Sequence, residues 1–128
     1  MSLVQKSRIR VTVVIGTRPE AIKLLPVVRE LRSRSEISCR LVSTGQHREL
    51  LDQVFGAFGI FPDVGLRLMQ PGETIEQVCG RALIAVSKEL AGNETDLLLV
   101  EGDTTTVFAS ALAAFWKACP VGHVEAGR

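Results

Sequence analysis

The stretch VTVVIGTRPEAIK, residues 11–23, decides how the rest of the chain is read. Val11 to Ile15 carry no charge and are all β-branched, which suits a strand buried on both faces. Gly16 ends that run. Beyond it, Ile22, Leu25, Val28 and Leu31 recur at helical spacing from Pro19 to about Arg34. A buried strand that feeds directly into a helix is the opening half of a βαβ unit. Part of the junction is helix-start chemistry. Pro19 presets φ for a first turn, and Thr17 and Glu20 stand at the spacing of a capping box. Arg18 and Lys23 have no such task. Lys23 lies about one turn into the helix, so both cations reach toward its N-terminus. There the free N–H groups and the dipole favour an anion, a carboxylate or a phosphate. The plainer account of the two is a solvated surface pair. The stretch lacks G-x-G-x-x-G and the second glycine and Lys-Ser/Thr of a P-loop, which excludes dinucleotide oxidoreductases and P-loop NTPases.

Working outward, the alternation repeats. The strand extends over residues 8–17, and a second strand is expected at 38–44. A helix follows at 48–58 with Leu51, Val54, Phe55 and Phe58 in phase, then a turn and a short third strand at 65–69. The clearest helix spans 74–90, with Ile75, Val78, Ala82, Val86 and Leu90 on one face. A buried strand at 96–102, an Ala-rich helix at 104–118 and a last strand at 121–127 complete the series. This βαβα order predicts an α/β fold, a parallel-sheet Rossmann-like three-layer α/β/α domain.

Composition narrows the partners. The 128 residues are 46% hydrophobic and 23% charged, with 15 basic and 14 acidic side chains and a net charge of +1. That balance gives no reason to expect nucleic acid or an anionic membrane. No apolar run nears the roughly 20 residues of a bilayer span. MSLVQKSRIR is followed by a β pattern rather than an h-region, so no signal peptide is expected. Cys39, Cys79 and Cys119 are odd in number and far apart. They predict reduced thiols in a cytoplasmic protein, with neither a disulfide framework nor a zinc pair.

In an open α/β sheet, ligands bind beyond the carboxyl ends of the strands. Four segments fall there: Gly16–Lys23, Thr44–Glu49, Gly102–Thr106 and His123–Arg128. They hold both histidines, His47 and His123, and nearly every unusual polar residue. In GDTTT (102–106), Asp103 or Thr104 caps the next helix, and the remaining hydroxyls suit a sugar or phosphate oxygen. Glu125 lies near the neighbouring strand end, before Ala126 and Gly127. Asp103 and Glu125 at adjacent strand ends suit acid–base chemistry, with burial and mutual repulsion able to raise one pKa. Glu101, two residues before Asp103, reads as a bystander.

GTRPEAIK, TGQHRELLDQV, MQPGE, GDTTT and GHVEAG occur in this order. Together they resemble the non-hydrolysing UDP-N-acetylglucosamine 2-epimerases from about Arg8 to Gly127, with Pro19-Glu20 separating them from the hydrolysing type. The resemblance implies interconversion of UDP-GlcNAc and UDP-ManNAc by elimination and re-addition of UDP, without a nicotinamide, metal or other cofactor. It implies Asp103, Glu125, Arg18 and Lys23 as catalytic residues, with Arg18, Lys23 and Thr104 contacting substrate. It leaves open which carboxylate takes the proton on carbon 2. It implies a cytoplasmic homodimer serving cell-envelope polysaccharide synthesis. Gln46 and His47 fall on positions tied to an allosteric UDP-GlcNAc site, where Glu73 replaces a frequent glutamine. The family has a two-domain GT-B architecture. Residues 1–128 are therefore expected to form one incomplete Rossmann-like domain lacking the second, UDP-binding domain, and to be a poor catalyst alone. The alternatives are a non-catalytic nucleotide-sugar-binding or dimerisation module, or a GT-B glycosyltransferase fragment.

Overall fold

The computed structural model describes residues 8–45, 48–68 and 70–125. The elements run β1 (Ile9–Ile15), α1 (Arg18–Arg32), β2 (Ile37–Ser43), α2 (Arg48–Phe58), β3 (Val64–Gly65), α3 (Ile75–Gly92), β4 (Leu97–Glu101), α4 (Thr105–Trp116) and β5 (Val121–Val124). All strand pairs are parallel, in the order β3-β2-β1-β4-β5. The chain thus moves outward from β1 in one direction, returns through α3, and moves outward in the other. β1 and β4 flank the point where the order reverses.

The sheet is covered on both faces. Val11, Val13 and Ile15 pack with Leu24, Leu25 and Val28 of α1 and with Leu51 and Phe55 of α2. Val14, Val42, Leu98 and Val100 pack with Val86 and Leu90 of α3 and with Val107 and Ala113 of α4. Successive β1 side chains therefore enter two separate cores, as a pleated strand requires. Among the described residues, no helix is long and apolar enough to cross a membrane.

Three expectations are corrected. The third strand is only Val64–Gly65. Beyond it Leu66 and Leu68 still donate N–H bonds to Ser43 and Thr44, but β2 has ended and Gly45 turns away at φ 81°. The last strand stops at Val124, because Glu125 turns to φ 80°. In α1 the buried stripe is Ala21, Leu24, Leu25 and Val28, while Ile22 is exposed. A strict three-residue repeat drifts around a helix of 3.6 residues per turn, so it cannot stay on one face.

Candidate active site

The junctions β1–α1 and β4–α4 meet at the switch point. Gly16 follows β1, and a Cβ there would lie 2.7 Å from the hydroxyl oxygens of both Thr44 and Thr106. Those two hydroxyls are buried and 3.4 Å apart. Only glycine lets three chain segments close this tightly. Gly16→Ala is expected to lower stability by about 2 kcal/mol through overpacking, measurable by urea denaturation. Adding Thr106→Ala should return part of that loss.

Glu20 is the brace across the junctions. It is 2% exposed. The Gly16 N–H donates to its Oε1 at 2.8 Å, and the Thr104 hydroxyl donates to its Oε2 at 2.7 Å. The reciprocal half of the expected capping box is therefore replaced: Thr17 still accepts from the Glu20 N–H, but the Glu20 side chain reaches Gly16 and Thr104. The three threonines of GDTTT divide the work. Thr104 is the N-cap of α4 and accepts from the Val107 N–H, which settles the choice between Asp103 and Thr104. Thr106 packs over Gly16. Thr105 lines a neighbouring recess with Ile75, Cys79 and Phe108.

Above Glu20 lies an open depression of about 400 Å³, lined by Lys23, Glu101, Asp103, Thr104 and Glu125 among others. Lys23 bonds Glu125 through its ammonium and sits 3.6 Å from Glu101 Oε2. The bond to Glu125 is the main reason the Lys23 pKa is raised. Glu101 is 3% exposed. Its pKa is pushed up to about 7, first by desolvation, then by a hydrogen bond to Glu125 and the charges of Glu125 and Glu20, against the opposing charge of Lys23. Two features fix this edge. His123 Nε2 lies 2.7 Å from the Gly102 carbonyl, so it carries the proton and donates. Glu125 occupies a left-handed conformation that non-glycine residues rarely adopt, a feature that clusters at functional sites.

The structure thus brings together Lys23, Asp103, Thr104 and Glu125 of the predicted set. Arg18, the first residue of α1, is exposed and is not among the residues lining the depression. Gln46 and His47 lie outside the described residues. Glu73 is held by the Gln70 N–H and by Arg81. Glu20, read as helix-start chemistry, and Glu101, read as a bystander, also line the depression. Their signal was a carboxylate at a strand end and another at a helix start, each with an ordinary explanation.

The fold and the depression define a doubly wound α/β domain with a carboxylate-lined depression at its switch point. The family model described as UDP-N-acetylglucosamine 2-epimerase matches residues 29–128, and the chain belongs to that family. A probable UDP-N-acetylglucosamine 2-epimerase of Ralstonia solanacearum is 48% identical over 118 residues, which are 92% of this chain and 32% of that protein. The UDP-N-acetylglucosamine 2-epimerase of Escherichia coli K12 is also 48% identical over 118 residues, 92% of this chain and 31% of that protein. The crystal structure of the Neisseria meningitidis enzyme bound to UDP-GlcNAc superposes with a TM-score of 0.89 at 44% identity, covering 93% of this chain and 32% of that one. The chain therefore spans about a third of the length of these relatives. GTRPEAIK precedes the family-model match, but an alignment over 118 of 128 residues necessarily includes it.

Proposed function

We propose that this chain is the N-terminal part of a UDP-N-acetylglucosamine 2-epimerase and supplies the acid–base groups that act on carbon 2 of the sugar. The observation that carries this reading is the depression in which Asp103 and Glu125 face one cavity beside Lys23 and Thr104. Proton loss from carbon 2 is difficult, because no strong acidifying group adjoins it. The reaction couples that loss to departure of UDP, giving a 2-acetamidoglucal. A carboxyl group then returns a proton to carbon 2 from the opposite face, and UDP adds back. Two carboxyl groups at adjacent strand ends suit such paired transfers.

Lys23 is engaged by carboxylates, so its part is to fix and neutralise Glu125. Arg18, exposed at the N-terminus of α1, is the cation available to a diphosphate. The uracil and the rest of the diphosphate would be held by a second domain in a GT-B arrangement. The same reading makes the protein a cytoplasmic homodimer in cell-envelope polysaccharide synthesis. Exposed Phe108, Phe115 and Trp116 on α4 supply apolar surface for a second domain or subunit. A second reading is a non-catalytic nucleotide-sugar-binding or dimerisation module, for which the same exposed α4 side chains would be the docking surface.

The test is a chimera in which this chain replaces the matching third of the E. coli enzyme, incubated with UDP-GlcNAc in heavy water and followed by proton NMR. The 128-residue chain alone is expected to give no product. The chimera is expected to give a ManNAc anomeric signal with deuterium at carbon 2. Asp103→Asn and Glu125→Gln should each slow it by about 10²–10⁴-fold. A folded chimera that binds UDP-GlcNAc without exchange would instead support the non-catalytic module.

A further inference from the structure

Glu101 is a carboxylate of the depression to which the resemblance gives no role. It ends β4, and its partner across the β4–β5 ladder is Val124, so Glu125 follows immediately beyond that pair. The two carboxylates meet the same ammonium, that of Lys23. Meeting at one ammonium, they are near enough for the charge of each to oppose ionisation of the other. Ionised carboxylates only accept hydrogen bonds, so a bond between two of them requires a proton. The surroundings give that proton reason to stay. From α1, Lys23 and Glu20 face Glu101; from the end of β5, Glu125 does. Asp103 follows in the same loop and lines the same depression. The start of α4, Thr104 to Thr106, brings no charge. One cation thus stands against several carboxylates, of which Glu101 and Glu20 are buried.

We propose that Glu101 is a positioning residue: it holds a proton shared with Glu125 and keeps the Glu125 carboxylate fixed beside Lys23, facing the depression. For its place in catalysis the proposal rests on the epimerase reading. When Glu125 takes a proton from a carbon, the C–H bond breaks, its electron pair stays with the substrate, and a Glu125 O–H bond forms. The pair then passes from one negative charge to none, because Glu101 retains its own proton. A lone pair of ionised carboxylates would begin from two charges. The strained backbone at Glu125 fits a side chain whose direction is set by its surroundings.

The experiment is a pH titration of the chain labelled with ¹³C at the glutamate carboxyl carbons, read by NMR. The Glu101 signal is expected to titrate near 7, and the Glu125 signal to carry the same inflection besides its own. Glu125→Gln should lower the Glu101 midpoint by about one unit. Glu101→Gln keeps a donor of the same shape, so it should remove the shared inflection while Glu125 keeps its own midpoint. Glu101→Ala removes the donor and should raise the Glu125 midpoint. A Glu101 signal confined to the ordinary carboxylate range, with nothing transmitted to Glu125, overturns the proposal. That result comes from the unmodified chain, so it stands even if a variant fails to fold. Adding UDP-GlcNAc separates the two readings. Unmoved Gly16 and Thr104 amides would count against substrate binding by this chain and leave the titration to decide on the shared proton.

Discussion

Glu20→Ala is expected to lower the unfolding free energy by about 3 kcal/mol, read by urea denaturation. The estimate follows from what Glu20 touches. Hydrogen bonds to a charged group contribute roughly 1.5–3 kcal/mol each, and an abandoned buried donor costs about 1–3 kcal/mol. The Gly16 N–H bond to Glu20 is buried, so water cannot easily replace the lost acceptor. The Thr104 hydroxyl can turn elsewhere, which limits the sum. For a domain of this size, the corresponding fall in Tm is about 10 °C. Glu20→Gln keeps one acceptor oxygen and sets an amide against the other donor, so it should cost less than alanine. A change below about 0.5 kcal/mol for alanine, the range of an ordinary surface substitution, would show that Glu20 does not brace the junctions.

The second large effect is in the pH dependence of stability. The folded-state pKa of Glu101 is about 7, above its ordinary value of 4.5. The folded state therefore binds more protons than the unfolded chain between these values, and stability falls as pH rises through that window. The stabilisation is fully present below about 4.5 and lost above about 7. The shift corresponds to up to about 3 kcal/mol. Glu73 and Asp96 act with the opposite sign. Hydrogen bonds from Arg81 and from the Arg10 backbone lower their respective pKa values, so their contribution is present at neutral pH and lost in acid. Denaturation midpoints measured from pH 4 to 8 should therefore decline above about pH 5 in the parent chain. Glu101→Gln should flatten that decline. A parent profile without it would mean that Glu101 ionises freely in the folded state.

Much of the fold was legible because a parallel sheet buried on both faces writes itself as apolar, β-branched runs. The helix at 48–58 was read residue for residue, and β1, expected over 8–17, runs Ile9–Ile15. Gathering Lys23, Asp103, Thr104 and Glu125 at one edge needed only the rule that ligands lie beyond strand C-termini. The contacts of Glu101 were not legible for a different reason. Its meaning depends on Lys23 arriving from α1 and on Glu125 turning back from β5, and neither contact leaves a local trace. Glu20 was hidden by its own plausibility, since a glutamate three residues after a threonine already has a capping role. Arg18 and Lys23 looked alike as cations near a helix start. Five residues of helix turn their directions about 140° apart, and only Lys23 meets the carboxylates.

The central position of β1 has a consequence for how the molecule assembles. β1 pairs with β2 after one short crossover, but its other edge waits for β4, whose residues Leu97–Leu99 lie more than 80 positions along the chain. The Glu20–Thr104 bond spans a separation of 84, so it belongs to the costly long loops that set folding speed in such topologies. No chain segment holding only β1 to β3 can contain the depression. Its appearance would therefore time the last closure of the sheet, and any probe bound there would report on complete folding rather than on secondary structure.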